Sequence, residues 1–106
     1  MAAKNRLGPG VLSEAAKGTA APPYAVSVGT TATRIVISNE LRRVLTFFNN
    51  DSAKTLYVGV DNTVTTSNGY PLPFQQAFQD TRTEGEWWAV CSTGTIDVRV
   101  IEVSAN

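Results

Sequence analysis

Thr95-Ile96-Asp97-Val98-Arg99-Val100-Ile101-Glu102-Val103 opens with strict alternation of polar and apolar side chains. That period belongs to a strand with one buried face and one wet face. Ile96, Val98 and Val100 share the first face, and Thr95, Asp97 and Arg99 the second. Ile101 and Val103 then invert the pattern, which predicts a bulge or a tail whose other face is covered. Shorter β-branched and aromatic runs recur upstream at Tyr24–Val28, Thr33–Ser38, Arg43–Asn49, Thr55–Val60, Ala77–Thr81 and Glu86–Ser92. Between them stand breaks that tolerate turn dihedrals: Gly29-Thr30, Asn39-Glu40, Asn50-Asp51-Ser52, Asn68-Gly69, Glu84-Gly85 and Thr93-Gly94. Short strands at this spacing, with no 3.6-residue periodicity, point to an all-β sandwich or small barrel rather than an α/β fold. The expected architecture is an antiparallel β-sandwich or jelly-roll-like domain with an extended N-terminal arm.

The chain of 106 residues has room for one core. The arm is assigned to residues 1–23 and the β-sandwich to residues 24–106. Up to Pro23 the chain is rich in Ala, Gly, Lys and Pro, and its only large aliphatic side chains after Met1 are Leu7, Val11 and Leu12. Gly8-Pro9-Gly10 and Ala21-Pro22-Pro23 oppose regular structure. Ordering such a segment costs about 1 to 2 kcal/mol per residue. The arm is therefore expected to stay flexible until a partner surface receives Leu7, Val11 and Leu12.

Charged residues make up 17% of the chain, and nine basic side chains balance nine acidic ones. Phosphate neutralisation needs clustered Lys and Arg, so nucleic acid is not an expected partner. A charge-poor surface suits close packing against other proteins, because few charges are desolvated on contact. No apolar run approaches the roughly 20 residues of a membrane span, and the opening MAAKNRLGPG lacks the apolar centre of a signal peptide. The expectation is a soluble chain without a membrane partner or an export signal.

The chain contains no His and one Cys, Cys91. Ser-His-Asp and Cys-His catalytic arrangements are thereby excluded, as are an intrachain disulfide and a zinc cluster built from several Cys. Cys91 is expected to act as a small buried hydrophobe on a strand. Asp80, Glu84 and Glu86 gather near a turn but lack the Asp/Asn/Gly ladder of a calcium loop, so they read as solvated turn charges. The expectation is no catalytic, cofactor-binding or metal-binding residue. Arg42-Arg43 beside Glu40 reads as a strand entrance with ion pairs, with Asp97 or Glu102 as partner if Arg43 turns inward.

Phe47-Phe48 and Trp87-Trp88 are adjacent aromatic pairs, and adjacent residues of a strand point to opposite faces. At least one member of each pair should lie on the outer face, covered there by a neighbouring protein or by the chain's own loops, or left open as a sugar-stacking platform. Because Val90 shares the face of Trp88, Trp88 is assigned to the core and Trp87 to the outside. Phe48 and Trp87 are thus candidate protein-interface residues, since aromatic side chains are enriched in interface cores. The segment from Asp61 to Gln79 is too long for a hairpin turn and reads as a crossover or binding loop. Its Tyr70 and Phe74 are further interface candidates.

Leu41-Arg42-Arg43-Val44-Leu45-Thr46-Phe47-Phe48-Asn49-Asn50, then Leu56-Tyr57-Val58-Gly59, then Thr66-Ser67-Asn68-Gly69-Tyr70-Pro71-Leu72 form a recognisable series. The chain ends with Trp88-Ala89-Val90, Gly94-Thr95, Asp97-Val98-Arg99-Val100 and Glu102-Val103. From about Thr33 to Val103 this series resembles small structural proteins of tailed-bacteriophage virions; the arm is outside the resemblance. The resemblance implies a non-enzymatic head or tail accessory protein, such as a capsid decoration (cement) protein, in the virion after synthesis in the host cytoplasm. The partners expected on this reading are the chain itself, as a homotrimer, and the major capsid protein or other virion proteins. The alternative is a carbohydrate- or receptor-binding β-sandwich module using Trp87, Tyr70 and Phe74.

Overall fold

The computed structural model describes residues 18–106. The strands are β1 (Gly18–Ala20), β2 (Tyr24–Val28), β3 (Thr33–Val36), β4 (Arg42–Asn49), β5 (Leu56–Gly59), β6 (Tyr70–Leu72), β7 (Ala77–Asp80), β8 (Trp87–Val90) and β9 (Ile96–Ala105). They form two packed antiparallel sheets, and no helix occurs among the described residues. In the first sheet β9 pairs with β4, and β4 pairs with β7. Along the other edge of β9 lie β1 and β2 in succession. The second sheet has the order β3-β8-β5-β6. From β2 onward, only the β5-to-β6 connection stays within one sheet. This alternation of sheets is the path of a jelly roll, a β-sandwich built from interleaved Greek keys.

Alternation along the strands builds the core. Val28, Leu45, Phe47, Ile96, Val98 and Val100 from the first sheet meet Ile35, Leu56, Val58, Leu72 and Ala89 from the second. Cys91 is buried with them, and its backbone N–H donates to the Gly29 carbonyl at 2.9 Å. Phe47 is wholly buried. Removing a side chain of this size from water contributes about 1.5 to 3 kcal/mol.

Two strands lie where the sequence predicted none. β1 falls inside the expected arm, whose last residues pair with the end of β9 from Gly18↔Ala105 to Ala20↔Val103. Glycine permits that approach: a Cβ on Gly18 would stand 2.5 Å from the Ser104 carbonyl oxygen. The paired structure thus begins before Tyr24, and Leu7, Val11 and Leu12 lie outside the described residues. β6 falls inside the expected Asp61–Gln79 loop. Pro71 at its centre disguised it, and proline is tolerated there because β6 is an edge strand.

The inversion at Ile101 is not a bulge in β9. Pairing with β4 runs without a slip from Val44↔Val103 to Asn49↔Val98, and the register shift lies between Arg42 and Val44. Alternation therefore continues, but the sandwich interior becomes polar at this end. Glu102 accepts from Arg42 Nε at 2.7 Å, and Ser104 Oγ pairs with Asn39 Nδ2 at 2.9 Å. Arg42 Nη1 donates to the Gly85 carbonyl at 2.7 Å and the Thr83 carbonyl at 3.4 Å, and Nη2 donates to the Ile37 carbonyl at 2.6 Å. The bulge explains why Arg42, rather than Arg43, turns inward to Glu102.

A second buried polar hub closes the opposite end of β4. Asn49 Nδ2 donates to the Lys54 and Leu72 carbonyls, each at 2.9 Å, and Oδ1 accepts the Asp51 N–H at 3.1 Å. Each hub joins strand ends to loops through groups that would cost free energy if buried unpaired.

Candidate interaction surfaces

The outward side chains of β4 and β9 follow from the register. Val44 lies opposite Val103, Thr46 opposite Ile101, and Phe48 opposite Arg99. On the neighbouring strands Ala77 lies beside Phe48, and Ala25 beside Arg99. Val44, Phe48, Ile101 and Val103 thus form an apolar strip on the outer face of the first sheet, a face that is usually polar when it meets water. Arg99, opposite Phe48 at the end of this strip, is paired with Asp97, Nη2 to Oδ2 at 2.7 Å. Phe48 occupies the outward position the sequence assigned to it. Val44 was missed, although Ile101 and Val103 had already announced themselves by inverting the pattern.

Trp87 does not face outward. It packs on the core beside Phe47, with ring centroids 5.9 Å apart, and beside Phe78 at 5.1 Å. Phe78 stacks on Phe47 at 4.9 Å and meets Tyr70 edge-on at 5.9 Å. Tyr70 therefore belongs to the rim of the aromatic cluster containing Trp87, yet it is 62% exposed. Phe74, 47% exposed, lies between β6 and β7, just before Gln75 at φ 59°. Tyr70, Phe74 and Phe78 mark the edge where the two sheets meet, and Phe48 lies on the outer face beyond it. Leu7, Val11 and Leu12 cannot be compared with either location because they lie outside the described residues.

Val90 misdirected the assignment of the tryptophans. It is buried, but on the outer side of the second sheet with Trp88; Ala89 and Trp87 face the core. The cover over Val90 comes from the loop between β5 and β6. Gly59, opposite Trp88, carries no side chain, and a Cβ there would stand 2.8 Å from Val64. Val64 is buried as a result. The loop is bound to itself: Asn68 Oδ1 accepts the Thr65 N–H at 2.8 Å, Asn68 Nδ2 donates to the Thr63 carbonyl at 3.1 Å, and Gly69 N–H donates to the Thr65 carbonyl at 2.9 Å. Between this loop and the Thr30-Thr31-Ala32 turn runs an open groove of about 680 Å³ with Trp88 and Val90 in its wall.

The Asp80 and Glu86 carboxylates near the β7–β8 turn have separate partners. Asp80 accepts the Arg82 and Thr83 N–H groups, both at 3.2 Å, while Glu86 accepts from Trp88 Nε1 at 2.8 Å and stands 3.7 Å from Arg34. The backbone carbonyl of Glu84 accepts the Asn39 N–H at 2.8 Å. Among the described residues no three His, Cys, Asp or Glu side chains are grouped as metal ligands.

Several Asp side chains serve as turn acceptors and titrate below the ordinary carboxylate range. Asp51 is lowered by N–H bonds from Lys54 and Ala53, and Asp61 by the Thr63 hydroxyl and N–H. Partial burial raises Asp80, but bonds from the Thr83 hydroxyl and the Arg82 and Thr83 N–H groups outweigh it and leave a net lowering. The unfolded chain therefore binds more protons, so stability rises with pH through this range. It is fully present above the unfolded carboxylate value of about 4 and declines as pH falls through the folded values. Urea unfolding midpoints should fall on acidification below about pH 4, and Asp51→Asn should reduce that decline. An acid profile unchanged by the substitution would remove Asp51 from the cause.

No protein-family model matches the chain, and neither a curated protein nor a solved structure does.

Proposed function

We propose that this chain is a non-catalytic accessory protein of a tailed-phage virion, a decoration or other head or tail component that holds neighbouring proteins together. It self-associates as a trimer and contacts the major capsid protein or another virion protein. The observation that carries this reading is the apolar strip Val44, Phe48, Ile101 and Val103 on the outer face of the first sheet. An outward aromatic among aliphatic side chains, with its nearest charges paired to each other, can be covered without leaving a charge unpaired.

A sheet face four strands wide and eight residues long measures roughly 19 by 27 Å, on the order of 500 Å². Stable interfaces bury about 800 Å² per partner. The chain before Gly18, with Leu7, Val11 and Leu12, supplies additional contact in this assembly, and Tyr70 and Phe74 provide a second contact region around the sandwich edge. Several copies held together raise the effective concentration of each weak contact.

Sedimentation equilibrium of the wild type and of Phe48→Ser tests the proposal. The expected result is a trimeric mass for the wild type and a shift toward monomer for the variant, whose circular dichroism and unfolding midpoint stay close to wild type. A wild type that stays monomeric at every concentration would sink the self-association reading.

A further inference from the structure

We propose that the groove on the outer face of the second sheet is a binding site for a neutral carbohydrate, with Trp88 as its stacking platform. The inference is independent of the assembly reading, which uses the outer face of the opposite sheet. Trp88 is fixed on both sides of its strand: it lies opposite Gly59 on β5 and Arg34 on β3. Its Nε1 donates to Glu86 Oε1 at 2.8 Å, and Glu86 is in turn paired with Arg34. The indole orientation is thus set before any ligand arrives, and its one polar atom is already engaged.

Around the indole the groove carries Val64 and Val90, then a rim of Thr30, Thr31, Asn62, Thr66 and Ser92. These rim side chains are exposed, and none of them makes a side-chain hydrogen bond to another described residue. Thr65 differs, because its hydroxyl accepts the Ser67 and Asn68 N–H groups at 3.2 Å and braces the loop. Among the described residues no charged side chain lines the groove. This described lining offers no charge to balance a phosphate, a carboxylate or an ammonium group, which favours a neutral ligand.

A sugar ring matches this surface. It presents a face of C–H groups to a flat aromatic ring, and a rim of hydroxyls that both donate and accept, as Thr, Ser and Asn do. The groove volume of about 680 Å³ falls within the roughly 300 to 1,000 Å³ of small-molecule sites. Its open form suits an extended oligosaccharide rather than an enclosed compact ligand.

The test is an NMR titration of the full chain with maltotetraose, cellotetraose, chitotetraose and mannotetraose, each to about 10 mM, enough to approach saturation of a site with a Kd of about 1 mM or tighter. With at least one of them, the Trp88 indole N–H and the Thr31 and Thr66 amides should shift in a saturable manner. Trp88→Ala should weaken that binding about tenfold or more, and Thr66→Val several-fold. Phe48→Ser should leave it unchanged even where it disrupts assembly. If Trp88→Ala unfolds the domain, Thr66→Val, on an exposed loop, carries the comparison alone. Three outcomes overturn the proposal: no groove shift with any of the four sugars, shifts centred instead on Tyr70 and Phe74, or affinity unaffected by both groove substitutions.

Discussion

Replacing Arg42 with Ala is expected to destabilise the domain by about 3 to 5 kcal/mol, the loss typical when one partner of a buried ion pair is removed. The Arg42 side chain is fully buried and that of Glu102 is only 15% exposed. The substitution leaves Glu102 without its cation and the Ile37 and Gly85 carbonyls without their donor. Arg42→Lys should recover little, because one ammonium cannot reproduce a guanidinium that reaches β9, the β3 exit and the β7–β8 turn together. Glu102→Gln should be milder, since the carbonyl contacts of Arg42 survive. Urea unfolding of the series should rank the wild type first, then Glu102→Gln, Arg42→Lys and Arg42→Ala. An Arg42→Ala unfolding free energy within about 1 kcal/mol of wild type would show that water substitutes for the lost contacts.

Phe47→Ala and Phe48→Ala, one residue apart, should fail in different ways. Phe47 is wholly buried, stacked on Phe78 and tilted against Trp87. Truncating it should remove about 3 to 5 kcal/mol, a large share of the 5 to 15 kcal/mol typical of a domain. Phe48 lies on the outer face, so its loss should reduce association while leaving the unfolding of the isolated subunit within about 1 kcal/mol of wild type. Unfolding curves at low protein concentration, read beside mass at high concentration, separate the two effects. Equal destabilisation by both would mean that Phe48 belongs to the subunit core.

Most strands could be read from alternation because period-2 burial on a sheet leaves a direct mark on sequence. β2 was delimited correctly, and β4, β5 and β9 within a few residues. What escaped has specific causes. β1 is Gly-Thr-Ala, with no large apolar side chain, and it exists because β9 extends past β2 and offers an unpaired edge. The interior beneath Glu102 and Ser104 is polar, so hydrophobicity inverted while geometry did not. Arg42 was mistaken for its neighbour because a bulge is invisible to strict alternation. Trp87 and Trp88 were exchanged because Val90 is buried under a loop from its own sheet rather than in the core. The groove that this loop creates depends on Gly59 and Gly69 admitting Val64 against the sheet, a tertiary contact without sequence periodicity.

Hydroxyl-radical footprinting of the unmodified chain, above and below the concentration at which it associates, tests the outer face of the first sheet most directly. Side-chain oxidation of Phe48 and Ile101 should fall sharply on association, while Trp88 in the groove of the opposite sheet reacts equally in both states. Unchanged oxidation of Phe48 and Ile101 across a verified change in mass would contradict the proposed interface.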